Sequence, residues 1–186
     1  MAKIIQWNCR GLRANFEELE LLIKNYEPVA ICLQEIQVSD TYILDNSLHI
    51  LISKLPHIPT GHRPHGGAGI LIRKDIPYSV LPLNTALQAV ACCVSTFQPL
   101  TLCSLYLPPS SSWRHSDLLS LVSQLPPPVL LMGDFNAHNS LWGCVDTNAK
   151  GLEVTTFLLQ SNLCLLNKKE TTYIHPATGS RSSIDL

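Results

Sequence analysis

Val129-Leu130-Leu131-Met132-Gly133-Asp134-Phe135-Asn136-Ala137-His138 is the stretch whose reading decides the fold. Pro126-Pro127-Pro128 opens it, four apolar residues follow, and Gly133 closes them, so the run reads as a strand buried on both faces. A carboxylate and an amide come next, two positions apart. On an extended backbone positions 134 and 136 point the same way, so both leave the end of the strand together. Strand ends of this kind are where layered α/β proteins carry their chemistry. Asp and Asn are also ordinary turn formers, and the rest of the chain has to decide between the two readings.

Working outward, Lys3 to Asn8 is an apolar run ending in an amide and reads as a first strand. Cys9-Arg10-Gly11 is a turn. Phe16, Leu19, Leu22 and Ile23 recur at helical spacing within residues 13–26, with Asn15 as the expected N-cap and Pro28 as the stop. Residues 29–33 form a second buried strand that ends in Gln34-Glu35. Residues 36–65, with their Pro and Gly, read as an irregular loop. Gly66-Gly67-Ala68-Gly69 is a strand-entry turn, since no Gly-Lys-Ser/Thr follows to make a phosphate loop. Residues 78–83, 87–96 and 100–107 read as consecutive antiparallel strands. Ser116 is expected to cap a helix over Leu118, Leu119, Leu121 and Val122, and 151–161 to form another with Leu152, Phe157, Leu158 and Leu159 inward. Residues 163–166 read as a strand, and 171–174 with 182–186 as a closing hairpin.

The bulk composition sets limits. A chain of 186 residues fits one domain, 1–186, with a sizeable core. At 46% hydrophobic and 15% charged it is not a disordered segment. A formal net charge of -1 gives no bulk pull toward nucleic acid, so contact with DNA has to come from a local basic patch or a metal. No apolar run approaches the roughly 18 residues of a membrane span. The first residues lack the apolar core and cleavage site of a signal peptide. The seven cysteines include no Cys-x-x-Cys pair, which argues against zinc and for reduced, buried thiols in an intracellular protein.

Four strand-like runs end in polar residues of one kind: Asn8, Glu35, Asp134 with Asn136, and Asp185; Tyr106 ends a fifth. Singly each is ordinary. Gathered at one mouth of a sandwich they make an oxygen-rich site, which suits a hard cation such as Mg²⁺. Crowded carboxylates without a cation would repel one another.

The segments Gln6 to Gly11, Leu33-Gln34-Glu35, Ser104 to Pro109, Gly133 to His138 and Ser183-Ile184-Asp185 stand in the order seen in the endonuclease/exonuclease/phosphatase superfamily, which the chain resembles. With Asn139-Ser140-Leu141-Trp142-Gly143 and Gly151-Leu152-Glu153 added, it is similar to jockey-like non-LTR retrotransposon endonuclease domains. The resemblance implies an α/β fold, a four-layer α/β sandwich of two packed mixed or antiparallel sheets flanked by helices (DNase I-like). It implies a Mg²⁺-dependent phosphodiester hydrolase that nicks DNA, with Mn²⁺ as a substitute ion. Glu35 would be the principal metal ligand, with Asn8 organising the site. Asp134 would orient or deprotonate the attacking water, Asn136 would hold the scissile phosphate, and Tyr106 would support the phosphate or nucleophile. Asp185 matches a carboxylate that orients a histidine. Arg10, Thr172 and His138 are the expected substrate-side residues, and His138 reads as loop or DNA-facing before it reads as catalytic. Arg13, Arg114, Lys150 and Arg181 are further candidates for DNA contact, and each reads first as solvated surface charge. The implied partners are DNA and a downstream reverse transcriptase domain in a polyprotein, with no membrane, a monomeric state, and nuclear action on chromosomal DNA. The chain ends before the family's Ser/Asp-His pair, so the expectation is a C-terminally incomplete domain whose isolated form is inactive or poorly stable. A phosphatase or phospholipid phosphodiesterase on the same fold, or an inactive fragment, are the alternatives.

Overall fold

The computed structural model describes residues 2–39, 42, 48–56, 65–175 and 178–186. Cα packing divides the chain into two units: Met1–Tyr106 with Leu125–Gly133, and Leu107–Gln124 with Asp134–Leu186.

The first unit holds two four-stranded sheets. In one, β1 (Ile4–Asn8), β2 (Ala30–Gln34), β3 (His49–Lys54) and β4 (Ala68–Arg73) lie in the order β1-β2-β4-β3. β1 and β2 run parallel with Asn8 opposite Gln34, and β4 is antiparallel to both β2 and β3. A parallel pair needs a crossover, and α1 (Phe16–Tyr26) supplies it. In the other sheet β5 (Tyr78–Leu81), β6 (Gln88–Ser95), β7 (Pro99–Tyr106) and β8 (Val129–Asp134) follow in sequence order, with β5, β6 and β7 antiparallel.

Side chains alternate across each strand, and both faces of the first sheet are used. Ala30, Cys32, Ile70 and Ile72 meet Val90, Cys92, Val94, Leu102 and Tyr106 between the sheets. Ile31, Leu33 and Leu71, on the opposite face, pack with Leu19 of α1 and with Cys9 and Leu12 of the turn. Each such fully buried aliphatic side chain contributes about 1.5–3 kcal/mol. The apolar runs of β2 and β4 are therefore what a sheet covered on both sides requires. Burial pushes the Cys9, Cys92 and Cys103 thiols up to about 12, so they behave as small apolar groups.

Three local expectations need correction here, and a fourth holds. β3 lies inside the stretch read as loop. β8 is half-buried along Val129–Met132 rather than enclosed, with Leu130 and Met132 packed on the core. Asn15 is at the N-cap, but its side chain donates to the Cys9 carbonyl at 2.7 Å instead of capping α1. The turn Cys9-Arg10-Gly11 does form, with Cys9 N and Gly11 N donating to the Gln34 and Glu35 carbonyls.

The second unit carries α2 (His115–Val122), a 3₁₀ turn at Ser140–Trp142, α3 (Ala149–Gln160), and a two-stranded ribbon of β9 (Tyr173–Ile174) and β10 (Arg181–Ser182). α2 begins before Ser116, and its first turn is closed by Asp117, whose carboxylate accepts from Arg114 N at 2.8 Å. α3 buries Gly151, Val154 and Phe157, while Leu152 and Leu159 face solvent. Residues 163–166 alternate in burial as a strand would but join no ladder. The last residues are paired: Asp185 bridges Asp134 in antiparallel fashion, and Phe135 N donates to the Ile184 carbonyl at 2.9 Å. No helix among the described residues is long and apolar enough to cross a membrane.

Candidate active site

In the first unit the tips of β1 and β2 are stitched together by side chains. Asn8 Nδ2 donates to Glu35 Oε1 at 2.8 Å, and Gln37 Nε2 to Glu35 Oε2 at 3.3 Å. The other end of the Asn8 amide, Oδ1, accepts from Arg10 N at 3.2 Å. Arg10, Glu35 and Gln37 all have left-handed backbone, at φ 46°, 50° and 50°. Such conformations cost a non-glycine residue of order 1–3 kcal/mol and persist where the surroundings impose them, as at functional sites. Here the ladder continues past the strands, with Leu12 N donating to the Ile36 carbonyl at 2.9 Å, and holds the turn in place.

Beneath Glu35 runs a buried polar chain. Gln6 Nε2 donates to Gln34 Oε1 at 2.6 Å, Gln34 Nε2 to Ser104 Oγ at 2.9 Å, and Ser104 Oγ to the Leu33 carbonyl at 3.0 Å. Gln34 and Ser104 are fully buried, so each needs these partners. The chain links β1, β2 and β7 under the strand tips. Tyr106 ends β7 and is buried in the core between the sheets.

In the second unit Asp134 Oδ1 accepts from Asn136 N at 2.9 Å, an Asx-type turn. Asn136 has φ 47°, so the backbone is not extended through it and the parallel projection expected of 134 and 136 does not hold. Asn tolerates this region better than most residues. Asn136 Nδ2 donates to the Leu107 carbonyl at 3.0 Å, and Leu107 N donates to the Asp134 carbonyl at 2.9 Å. Asp134 itself is buried. Thr172 Oγ1 accepts from Ile184 N and Asp185 N at 3.1 and 3.2 Å, which fixes the segment that bridges Asp134. Asp134, Asn136, Thr172 and Asp185 are thus brought together within this unit.

His138 is held by backbone and side chain. Its N–H donates to Asn148 Oδ1 at 3.1 Å, and its Nδ1 lies 2.9 Å from Asp146 Oδ1. That contact holds the Asp146 carboxyl below the usual carboxylate range. Asn148 Oδ1 also accepts from Gly151 N at 2.7 Å, so one oxygen caps α3 and braces the loop. The Trp142 indole donates to the Ala137 carbonyl at 3.1 Å, and Asn139 Oδ1 accepts from Leu141 N at 2.9 Å. Gly151 is forced, since a Cβ there would overlap the His138 carbonyl oxygen. Glu153 accepts from both His115 N and His115 Nδ1, at 2.7 and 2.8 Å, and these contacts lower its pKa. The Asn-Ser-Leu-Trp-Gly motif and Gly151 therefore act on the loop that follows Asp134 and Asn136, while Glu153 ties α3 to the start of α2.

The group offered to a cation here is the Glu35 carboxylate, steadied by the amide NH₂ groups of Asn8 and Gln37, and a carboxylate oxygen is a hard ligand of the kind Mg²⁺ accepts. That ion commonly takes only one or two carboxylates and completes its shell with water and substrate phosphate. The described residues contain no cluster of three or more His, Cys, Asp or Glu that would suit zinc. Sequence reading named Asn8, Glu35, Asp134 and Asn136 as candidates. It passed over Gln37, Asp146 and Asn148, whose partners lie two to ten residues away and leave no periodic signal.

Residues 100–186 match a family model described as endonuclease-reverse transcriptase. The chain is similar to the probable RNA-directed DNA polymerase from transposon X-element of Drosophila melanogaster, at 25% identity over 98% of this chain and 20% of that protein. It is also similar to the RNA-directed DNA polymerase from mobile element jockey of the same species, at 26% identity over 76% of this chain and 15% of that protein. The chain thus spans about a fifth or less of the length of these curated relatives. Among solved structures, the endonuclease domain of TRAS1, a telomere-specific non-LTR retrotransposon, superposes with a TM-score of 0.75 at 18% identity, covering 100% of this chain and 83% of that one. The superposition shows the fold, two mixed or antiparallel sheets with flanking helices, which the chain shares with that endonuclease domain. In sequence the likeness runs to the jockey and X-element relatives, the direction in which the motifs pointed.

Proposed function

We propose that the chain is a Mg²⁺-dependent phosphodiester hydrolase that nicks DNA, the endonuclease module of a retroelement polyprotein acting in the nucleus upstream of a reverse transcriptase. The observation that carries this reading is Glu35, held on a left-handed backbone with one carboxylate oxygen on Asn8 and the other on Gln37. Strained backbone fixed by two neighbours is a sign of a site built for a task rather than a solvated turn.

Glu35 is the proposed ligand of the ion, with Asn8 orienting it. Bound there, the ion would supply charge neutralisation at phosphoryl oxygens. Asp134 is the proposed base for the attacking water, its carboxylate aimed by the Asn136 N–H. An amide NH₂ carries two donors, and one of those on Asn136 lies on the Leu107 carbonyl. The second is assigned to a phosphate oxygen, where it would stabilise developing charge. Tyr106 and Asp185 are assigned supporting roles beside phosphate and base. Arg10 and His138 are assigned to DNA contact, with Thr172 acting through the Asp185 segment it braces. Mn²⁺ is expected to replace Mg²⁺.

Nicking of supercoiled plasmid tests the reading. Relaxed circles are expected with Mg²⁺ and not with chelator. Glu35→Ala is expected to slow nicking by at least about a hundredfold, the order of loss when one transition-state contact is removed. Nicking unchanged by Glu35→Ala would contradict it. Hydrolysis of small phosphomonoesters without DNA nicking would move the assignment to a phosphatase.

A further inference from the structure

Lys150 stands in the first turn of α3, where a cation opposes the helix dipole. The charge is therefore there for another reason. By sequence it reads as a DNA-contacting or solvated lysine. Its Nζ instead donates to the carbonyls of Pro108 and Pro109, at 2.6 and 2.8 Å, and lies 5.9 Å from the centre of the Trp113 ring. Proline has no N–H, so a Pro-Pro segment cannot dock through its own donors. Two of the three ammonium donors are spent on holding it.

That segment continues directly from Leu107. The Leu107 N–H donates to the Asp134 carbonyl and its carbonyl accepts from Asn136 Nδ2. Whatever fixes residues 107–109 fixes the backbone of Asp134 and the side chain of Asn136. The charge is also placed to act on Asp134. Burial lowers the Lys150 ammonium from the ordinary lysine value, and the Asp134 carboxylate opposes that shift.

We propose that Lys150 is a positioning residue, clamping the Leu107-Pro108-Pro109 segment so that Asp134 and Asn136 keep their places, and does not bind a DNA phosphate. The consequence for catalysis rests on the hydrolase reading above, whereas the clamp itself does not.

Two readouts on Lys150→Met and Lys150→Arg test it. The first is hydrogen exchange of the Leu107 amide without DNA, referenced to the Phe157 amide of α3. Protection is expected to fall at least tenfold in Lys150→Met and to return in Lys150→Arg, which keeps charge and donors. The second is plasmid nicking and DNA binding against salt. The clamp gives a fall in kcat of tenfold or more, with KM and the salt slope of binding unchanged. A phosphate contact gives the reverse, a raised KM with intact kcat and a slope shallower by about one. Unchanged Leu107 protection in Lys150→Met, or the phosphate-contact pattern, overturns the proposal. Should Lys150→Met fail to fold, Lys150→Gln carries both readouts in the same sense. With a wild-type chain that does not nick, the exchange experiment alone decides the clamp.

Discussion

Gly151 concentrates the packing demand of the second unit at one residue. It begins the buried face of α3, and any side chain there would enter the His138 carbonyl. Two effects compete in Gly151→Ala. Alanine gains roughly 1 kcal/mol over glycine inside a helix. Overpacking against a fixed carbonyl costs typically about 1–3 kcal/mol. The second is expected to win, because that carbonyl is itself tied to Asn148 N at 3.1 Å and has little room to give. Urea unfolding is expected to show a net loss, and a stabilised variant would contradict the packing. At this scale legibility in the sequence was uneven. Asn8, Glu35, Asp134 and Asn136 could be named because each ends an apolar run. Lys150 and Asn148 could not be assigned, because their partners are backbone carbonyls and amides that only the folded chain brings near. The shared direction of 134 and 136 failed for a related reason: the Asx turn on Asp134 takes Asn136 out of the extended region.

Among the elements, α3 and the loop before it behave as one piece because Asn148 serves both. Removing that oxygen in Asn148→Ala takes away a cap worth about 1 kcal/mol. It also leaves the His138 N–H without its acceptor, which costs about 1–3 kcal/mol if no water replaces it. A loss larger than the cap alone is expected in urea unfolding. Asn148→Asp keeps the acceptor and adds a charge suited to a helix N-terminus, so it is expected to retain most of the stability. Equal losses in the two variants would show that the shared oxygen is not what matters. The elements themselves were readable where apolar period and punctuation agreed, as in β1, β2, β4, β6, β7 and α1. β3 was hidden inside a stretch rich in Pro, Gly and His, where composition argued for loop. Residues 163–166 showed the opposite error: alternation was present, but a strand is defined by its partner, and the pattern does not say whether one exists. For α3 the apolar residues outnumbered the buried positions, and the choice of face went to Leu152 and Leu159 instead of Val154.

For the whole molecule, composition bounded the answer without giving it. A net charge of -1 excludes a broad electrostatic footprint, so affinity for DNA has to be local. The alternation of strand and helix pointed to a layered α/β fold, and the sandwich was implied by the resemblance that five short motifs carry. Those motifs turn out to be strand tips and the residues that brace them: the Gln6–Gln34–Ser104 chain under Glu35, and the Asn139, Trp142 and Gly151 contacts around His138. Their spacing carries the family likeness because each brace needs one residue type at one place. What the sequence could not supply was the division of the chain into two units and the pairing of Asp185 with Asp134, both of which depend on contacts between distant segments.

The central claim is that Glu35, steadied by Asn8 and Gln37, is the chain's cation ligand. Calorimetric titration of Mg²⁺ into the chain and into Glu35→Gln, without DNA, tests it most directly, because the substitution keeps the side chain's shape and removes only its charge. Saturable binding in the first and a loss of at least tenfold in affinity in the second is the expected result. Equal affinity in both would place the ion elsewhere and contradict the account.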